Sequence, residues 1–355
     1  MLKSKMSVTI VGEAFGENEA KTGFPFVGKA GFELYRMLFE ASFPIAPPPE
    51  FYPGSLKMKL LWAATPFHLT NVFMERPDGN KVEKFLARKT EAQVRVDLPP
   101  LRPGLYLRDE YSHHLSSLFE ELIQLKPKLI IALGNTACWA LLRTTKISEL
   151  RGTIAPSPYG KVLPVYHPAA VLRNYELRTI CITDFFKAKI EKDFPDIRRL
   201  RRELWTEPSI PDLWQWWDSY GQHSNLLSID IETVRQCQIS EIGIASDALH
   251  ALHVPFIVDR VKSYWPNAAD EVRAWKFIRH VMNSPIPKLG QNFLYDMQYL
   301  WKVARIPTRN FRHDTMLLHH ALYPGMQKSL AFQGSIYTFE PAWKGLRREG
   351  DKEDD

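Results

Sequence analysis

Gly12-Glu13-Ala14-Phe15-Gly16-Glu17-Asn18-Glu19 runs on through Lys21-Thr22-Gly23-Phe24-Pro25-Phe26-Val27-Gly28-Lys29-Ala30-Gly31, directly after a short apolar strand, Val8 to Val11. The stretch packs five glycines, the separated carboxylates Glu13 and Glu19, and the pair Phe24/Phe26 into one turn-and-loop. That combination suits a pocket that holds a flat, neutral ring and positions a water beside it. A plain connecting loop does not need all of those features at once.

The pattern repeats outward from this loop. Ala30–Glu40 reads as a helix with Leu34, Met37 and Leu38 on one face. Lys59–Ala64 and Leu69–Val72 read as strands, Leu115 to Ile123 as a helical stripe, and Leu129–Leu133 as a buried strand before a helix that starts at Gly134. Val162–Tyr166 is a further strand, ending at His167-Pro168, while residues 76–108 are polar, Pro-interrupted and without a clear period. Strand–loop–helix repetition predicts a mostly parallel sheet with helices on both faces. Ligands bind such sheets beyond the carboxyl ends of the strands. Glu13, Asn71, Gly134 and His167 all stand at such ends and are expected to share one rim.

Composition bounds the rest. With 355 residues, 45% hydrophobic and 24% charged, the chain is long enough for two domains, each with its own core. The net charge of +6 mildly favours a polyanionic partner. Three scattered cysteines, Cys138, Cys181 and Cys237, argue against a disulfide framework or a four-thiolate site and for a reducing compartment. No apolar run reaches membrane-spanning length and no signal peptide is evident, so a cytoplasmic protein with no membrane partner is expected.

The side-chain types at the rim fit one chemistry. Phe26 can stack on a ring, and Asn71 can read a ring edge that carries both a carbonyl and an N–H. His167 can donate to an oxygen that gains charge, and Glu13 or Glu19 can orient a water. Singly each has a plainer explanation, as surface carboxylate, core phenylalanine or strand-end cap. Together they suit cleavage of an N-glycosidic bond. The run 12–31, Thr70-Asn71-Val72, Pro127–Leu142 and Tyr166-His167-Pro168-Ala169-Ala170-Val171-Leu172-Arg173 resemble the family-4 uracil-DNA glycosylases over roughly residues 7–200. The resemblance implies that Glu13 and Glu19 position the water, with the backbone at Ala14 helping, and that Phe26 stacks on uracil and Asn71 bonds its edge. It further implies that His167 stabilises the departing base, and that Val171 or Leu172 fills the gap left by a flipped nucleotide, with Arg173 near a phosphate. Phe15 and Ala20 depart from the family pattern. So does the cysteine set, which cannot supply the four thiolates of the family's iron–sulfur cluster, and no such cluster is expected.

The second half changes character. Leu226–Asp230, Ile239–Ala245 and Ala251–Phe256 read as successive strands, then a helix over about 270–282, a short strand Pro287–Leu289, and helices near 293–303 and 315–322. Asp230 and Glu232, two apart on a strand, face one side. With Asp296 they form a set that suits Mg²⁺ or Mn²⁺. Ser228-Ile229-Asp230-Ile231-Glu232-Thr233 and Gly290 to Asp296, together with His313-Asp314-Thr315 and Ser335-Ile336-Tyr337-Thr338, resemble the 3′–5′ exonuclease domain of phage family-A DNA polymerases. The third catalytic motif of that family is absent, so weak or no nuclease activity is expected.

The expected organisation is an α/β chain. A uracil-DNA-glycosylase-like three-layer domain spans 1–200 and a linker 201–211. A truncated, ribonuclease-H-like (DnaQ-like) exonuclease domain spans 212–345, followed by a disordered tail, 346–355. Residues 191–211 read as a charged helix leading into that linker. The leading reading is a glycosylase acting on DNA in phage replication or repair inside a bacterial host, with a DNA polymerase or other replication protein as partner. One alternative is a non-catalytic DNA-binding accessory subunit of a split polymerase. The other is an active nuclease.

Overall fold

The computed structural model describes residues 8–92, 98–234 and 238–342. They divide into two compact units, one of residues up to 199 together with 334–342, the other of residues 200–333. This division differs from the expected one. Residues 334–342 belong with the first unit, although the sequence groups Ser335–Thr338 with the second half. The boundary falls inside a helix. Cys237 and the expected tail lie outside the described residues.

In the first unit the order is β1 (Val8–Ala14), α1 (Glu17–Thr22), α2 (Lys29–Glu40), α3 (Ser55–Ala63), β2 (Phe67–Phe73), β3 (Leu86–Arg88), α4 (Lys89–Ala92), β4 (Leu105–Leu107) and α5 (Ser112–Leu125). Then come β5 (Leu129–Leu133), α6 (Gly134–Leu142), α7 (Ile147–Leu150), β6 (Ala155–Ser157), β7 (Gly160–Val165), α8 (Pro168–Arg173) and α9 (Leu177–Glu191). The main sheet runs β2-β1-β5-β7-β6. All pairs but the last are parallel, and β6 is antiparallel to β7. β1 and β5 are buried along nearly their whole length, as strands covered on both faces must be. One core holds Ile10, Leu34, Met37, Ile131, Leu163 and Phe185, and the other holds Val11, Val72, Ile130, Ala132 and Trp139. Residues of one strand therefore alternate between two cores, which is what a sheet sandwiched by helices requires.

Lys59–Ala64, expected as a strand, lies in α3. Met58 and Trp62, four residues apart, are its buried pair, and Trp62 Nε1 donates to the Phe26 carbonyl at 2.8 Å. The i,i+4 spacing there is helical, and the local apolar run hides it.

The second unit comprises β8 (Glu203–Trp205), α10 (Ile210–Ser219), β9 (Leu227–Val234), β10 (Gln238–Ala245), β11 (His250–Pro255), the two-residue strands β12 (Ile257–Val258) and β13 (Lys262–Ser263), α11 (Ala268–Asn283) and β14 (Lys288–Gly290). α12 (Leu294–Ala304), β15 (Phe311–Asp314), α13 (Thr315–Leu322) and α14 (Leu330–Tyr337) complete the described elements. Its sheet has the order β15-β14-β9-β10-β11-β8. β9, β10 and β11 are antiparallel neighbours, whereas β14 joins β9, and β15 joins β14, in parallel. Three antiparallel strands extended by parallel ones on the side of the first is the ribonuclease-H-like arrangement. Residues 201–211 are not a plain linker, because β8 pairs with β11 and a Ser209 capping box starts α10. The charged helix expected beyond residue 191 is not formed, since α9 ends at Glu191.

Candidate active site

The first unit carries a cleft of about 570 Å³, lined among others by Glu13, Ala14, Phe15, Glu19, Phe26, Asn71, Tyr166, His167 and Arg173. That volume suits a nucleobase and its sugar. The cleft gathers residues from four segments that are far apart in sequence, and the packing behind each side chain explains the gathering.

Gly12 of β1 pairs with Asn71 of β2. A Cβ at Gly12 would lie 2.3 Å from Asn71 Oδ1 and 2.6 Å from Phe26 Cζ, so the missing side chain is the space in which Asn71 and Phe26 meet. Phe26 adopts a left-handed φ of 57°, a conformation that a bulky residue rarely takes. Its carbonyl is held by Trp62, and Gly31 of α2 packs so closely that a Cβ there would sit 1.8 Å from the Phe26 oxygen. The ring itself is buried. Asn71 is 3% exposed, yet its amide makes no hydrogen bond to the described residues. Asn71 lines the cleft, where the edge of a ligand ring can bond its amide.

His167 caps α8. Its Nδ1 accepts from the Ala169 N–H at 3.2 Å, which leaves Nε2 to carry the proton of the neutral ring. Burial pushes its pKa below the usual 6.5, and Arg173 adds to this against the opposing charges of Glu13 and Glu19. His167 is thus a neutral donor near neutral pH. Glu19, on α1, accepts from the Gly28 N–H at 2.7 Å through Oε1. Glu13 Oε2 accepts from the Thr136 hydroxyl and stands 4.0 Å from Arg102 Nη2. Phe15 is buried and its N–H donates to the Glu75 carbonyl at 3.2 Å, so the side chain forms a wall of the cleft.

The DNA-contacting set divides. Leu172 is 51% exposed and Arg173 is exposed, but Val171 is fully buried in the core. Val171 therefore corrects to a core residue, because α8 turns it inward, and Leu172 is the side chain available to a duplex. Thr136, Arg102 and Asn135 were missed by the sequence. The rim positions of Asn135 and Thr136 follow from Gly134 at a strand end, but nothing in the irregular run 76–108 singles out Arg102.

The described cysteines do not fit a metal cluster. Cys138 and Cys181 lie in different cores, and burial pushes Cys138 up to about 12 and raises Cys181 as well.

In the second unit Asp230 and Glu232 face the same side of β9, away from the buried Ile229 and Ile231. Asp296 of α12 is buried and its Oδ1 accepts from the Ile231 N–H at 2.9 Å. Burial, with the charges of Asp230 and Asp314, raises Asp296 to about 7 against the pull of that hydrogen bond. Among the described residues no group of three His, Cys, Asp or Glu side chains could hold a metal ion. Of the expected set, Asp230 and Glu232 share a face of β9, and Asp296 bonds the backbone of that strand at Ile231 through Oδ1. Asp314 is buried, accepts from the Phe293 N–H at 2.8 Å and the Met316 N–H at 2.9 Å, and so caps α13. No helix among the described residues is long and apolar enough to cross a membrane.

Comparison with known proteins bears on both units. The chain is 30% identical over 187 residues to the type-4 uracil-DNA glycosylase of Thermotoga maritima, covering 51% of this chain and 76% of that protein. It is 28% identical over 205 residues to the type-4 uracil-DNA glycosylase of Sulfurisphaera tokodaii, covering 55% and 70%. Solved structures that resemble it include Escherichia coli RNase D, an exoribonuclease, at 15% identity and a TM-score of 0.26, covering 37% of this chain and 31% of that one. An EXD2 exonuclease domain soaked in Mn and dGMP matches at 16% identity and a TM-score of 0.25, covering 42% and 76%. The chain spans about a third of the RNase D structure. Overlaps this slight carry no argument, and the fold of the second unit rests on its strand order. For the first unit the correspondence is of another order: the model of the Uracil DNA glycosylase superfamily matches residues 2–194, more than half of the sequence, and the chain belongs to that superfamily.

Proposed function

We propose that the first unit removes uracil from DNA by hydrolysing its N-glycosidic bond. The observation that carries this reading is the convergence of Glu13, Glu19, Phe26, Asn71 and His167 on one cleft. The type-4 enzymes of Thermotoga maritima and Sulfurisphaera tokodaii support it by their names. In this reading Phe26 stacks on the flipped base and Asn71 bonds its edge. Flipping is required because the glycosidic carbon is unreachable inside the stack, and Leu172 fills the vacated place. The C1′–N1 bond breaks with its electron pair leaving on the uracil, whose O2 takes a hydrogen bond from His167 Nε2–H. Water held by Glu13 and Glu19 adds to C1′ and passes its proton to a carboxylate. The two glutamates also favour the cation-like sugar.

Release of free uracil from a uracil-containing oligonucleotide tests the reading. His167→Ala is expected to lower the chemical rate on the order of 10²-fold or more, as loss of an oxyanion donor does. A rate equal to wild type would remove His167 from the mechanism.

A second reading concerns the other unit. Among the described residues no three His, Cys, Asp or Glu side chains are gathered to hold a metal ion, which supports a unit with weak or no nuclease activity that binds DNA or a replication polymerase, in the phage setting its motifs resemble. Labelled single-stranded DNA with Mn²⁺ is expected to stay intact. Robust degradation that Asp230→Ala abolishes would overturn this.

A further inference from the structure

We infer that Thr136 and Arg102 are positioning residues that hold the Glu13 carboxylate for its work on water, an inference that rests on the glycosylase reading above. Thr136 sits in the first turn of α6 and is fully buried. Its β-branched side chain has few rotamers in a helix, so the hydroxyl it donates to Glu13 Oε2 is fixed by the helix itself. Arg102 comes from a tight turn in which the Leu105 N–H donates to the Arg102 carbonyl at 2.9 Å. Its Nε donates to Glu83 Oε1 at 3.3 Å and its Nη1 to the Leu101 carbonyl at 3.3 Å, leaving Nη2 4.0 Å from Glu13 Oε2.

Both groups address the same oxygen. Glu13 Oε1 makes no hydrogen bond to the described residues and is left for the water. A carboxylate with one oxygen clamped and the other presented is an acceptor of fixed direction, which proton transfer in a transition state requires. The two clamps also share an anchor. Trp139, three residues after Thr136 on α6, donates from Nε1 to the Pro99 carbonyl at 2.6 Å, three residues before Arg102. One helix therefore holds Thr136 directly and supports the segment that delivers Arg102. Glu83 on its far side keeps Arg102 from closing fully onto Glu13, so the cation orients the carboxylate without occupying its second oxygen.

The test uses the full chain and single-turnover release of uracil from a single-stranded oligonucleotide, with enzyme concentration varied to separate rate from half-saturation. Thr136→Val, which keeps the shape and removes the hydroxyl, is expected to lower the maximal rate on the order of 10²-fold with half-saturation unchanged, the scale of a misplaced catalytic group. Thr136→Ser should restore most of it. Arg102→Met should lower the maximal rate and Arg102→Lys should retain it. Arg102 is partly exposed, so its variants remain folded and informative if Thr136→Val does not. Thr136→Val at the wild-type rate, a Ser variant no better than Val, or losses confined to half-saturation would each overturn the clamp. A wild-type chain that releases no uracil would instead sink the glycosylase reading itself.

Discussion

Gly12 leaves no room for even a methyl group between Asn71 and Phe26. Gly12→Ala is therefore expected to abolish uracil release while costing the fold only about 1–3 kcal/mol, the usual range for overpacking. A thermal melt beside the activity assay checks both halves. His167 sets the pH response. Its pKa is lowered in the folded state, so its contribution to stability is present above 6.5 and lost as pH falls below that value. Protonation also places a second donor against the Ala169 N–H. The pH–rate profile should thus be flat near neutrality with an acid limb below pH 6.5, and His167→Ala should remove that limb. At this scale much of the site was legible. Glu13 and Asn71 lie near the ends of β1 and β2 and His167 just beyond β7, and the apolar runs that mark those strands located them. Thr136 was not legible, because a single threonine inside an apolar helix carries no signal. Nor was the choice between Val171 and Leu172, which depends on the register of α8 against the core.

Among the elements, α9 bears the highest cost of error. Asp184 is fully buried and accepts from Arg151 Nε at 2.8 Å, and Arg151 is itself 1% exposed. Lys187, one turn on, donates to the Gly152 carbonyl at 3.0 Å and to the carbonyls of Ser335 and Thr338, while burial pulls it down to about 8. Removing Asp184 leaves the buried Arg151 guanidinium without the carboxylate that opposes its charge. Asp184→Ala should cost roughly 3–5 kcal/mol, the range for breaking a buried pair, and denaturant melts of the full chain would read it. Asp184→Ala with an unchanged midpoint would contradict this account. The helices α2, α5 and α6 were readable from their 3.6-residue period. α3 was not, because Lys59–Ala64 is apolar at nearly every position and only its packing on Phe26 decides the period. β8 was missed for the opposite reason: three residues on a sheet edge are too few to show alternation.

At the scale of the whole molecule the two-part organisation was plain from the change in character near residue 200, but its topology was not. Residues 334–342 return to the first unit. Arg151 Nη1 donates to Ser335 Oγ at 2.7 Å, and Phe339 lies under Lys187 and Arg198. Sequence motifs could not reveal this, since beyond the Ser335 hydroxyl the acceptors are the backbone carbonyls of Ser335 and Thr338, which no residue type announces. A chain cut after Arg199 loses those acceptors and exposes buried cations. Its melting temperature should fall well below that of the first unit within the full chain, as differential scanning calorimetry of the two proteins would measure.

That return makes the second unit an insertion, with the first unit supplying the chain on both sides of it. A protease that nicks once between Ile306 and Lys328 would thus test that return directly. The covalent chain is broken, yet the fragment that follows the cut stays attached to the first unit through Ser335, Thr338 and Phe339. The two fragments should co-migrate on a native gel and part only in denaturant.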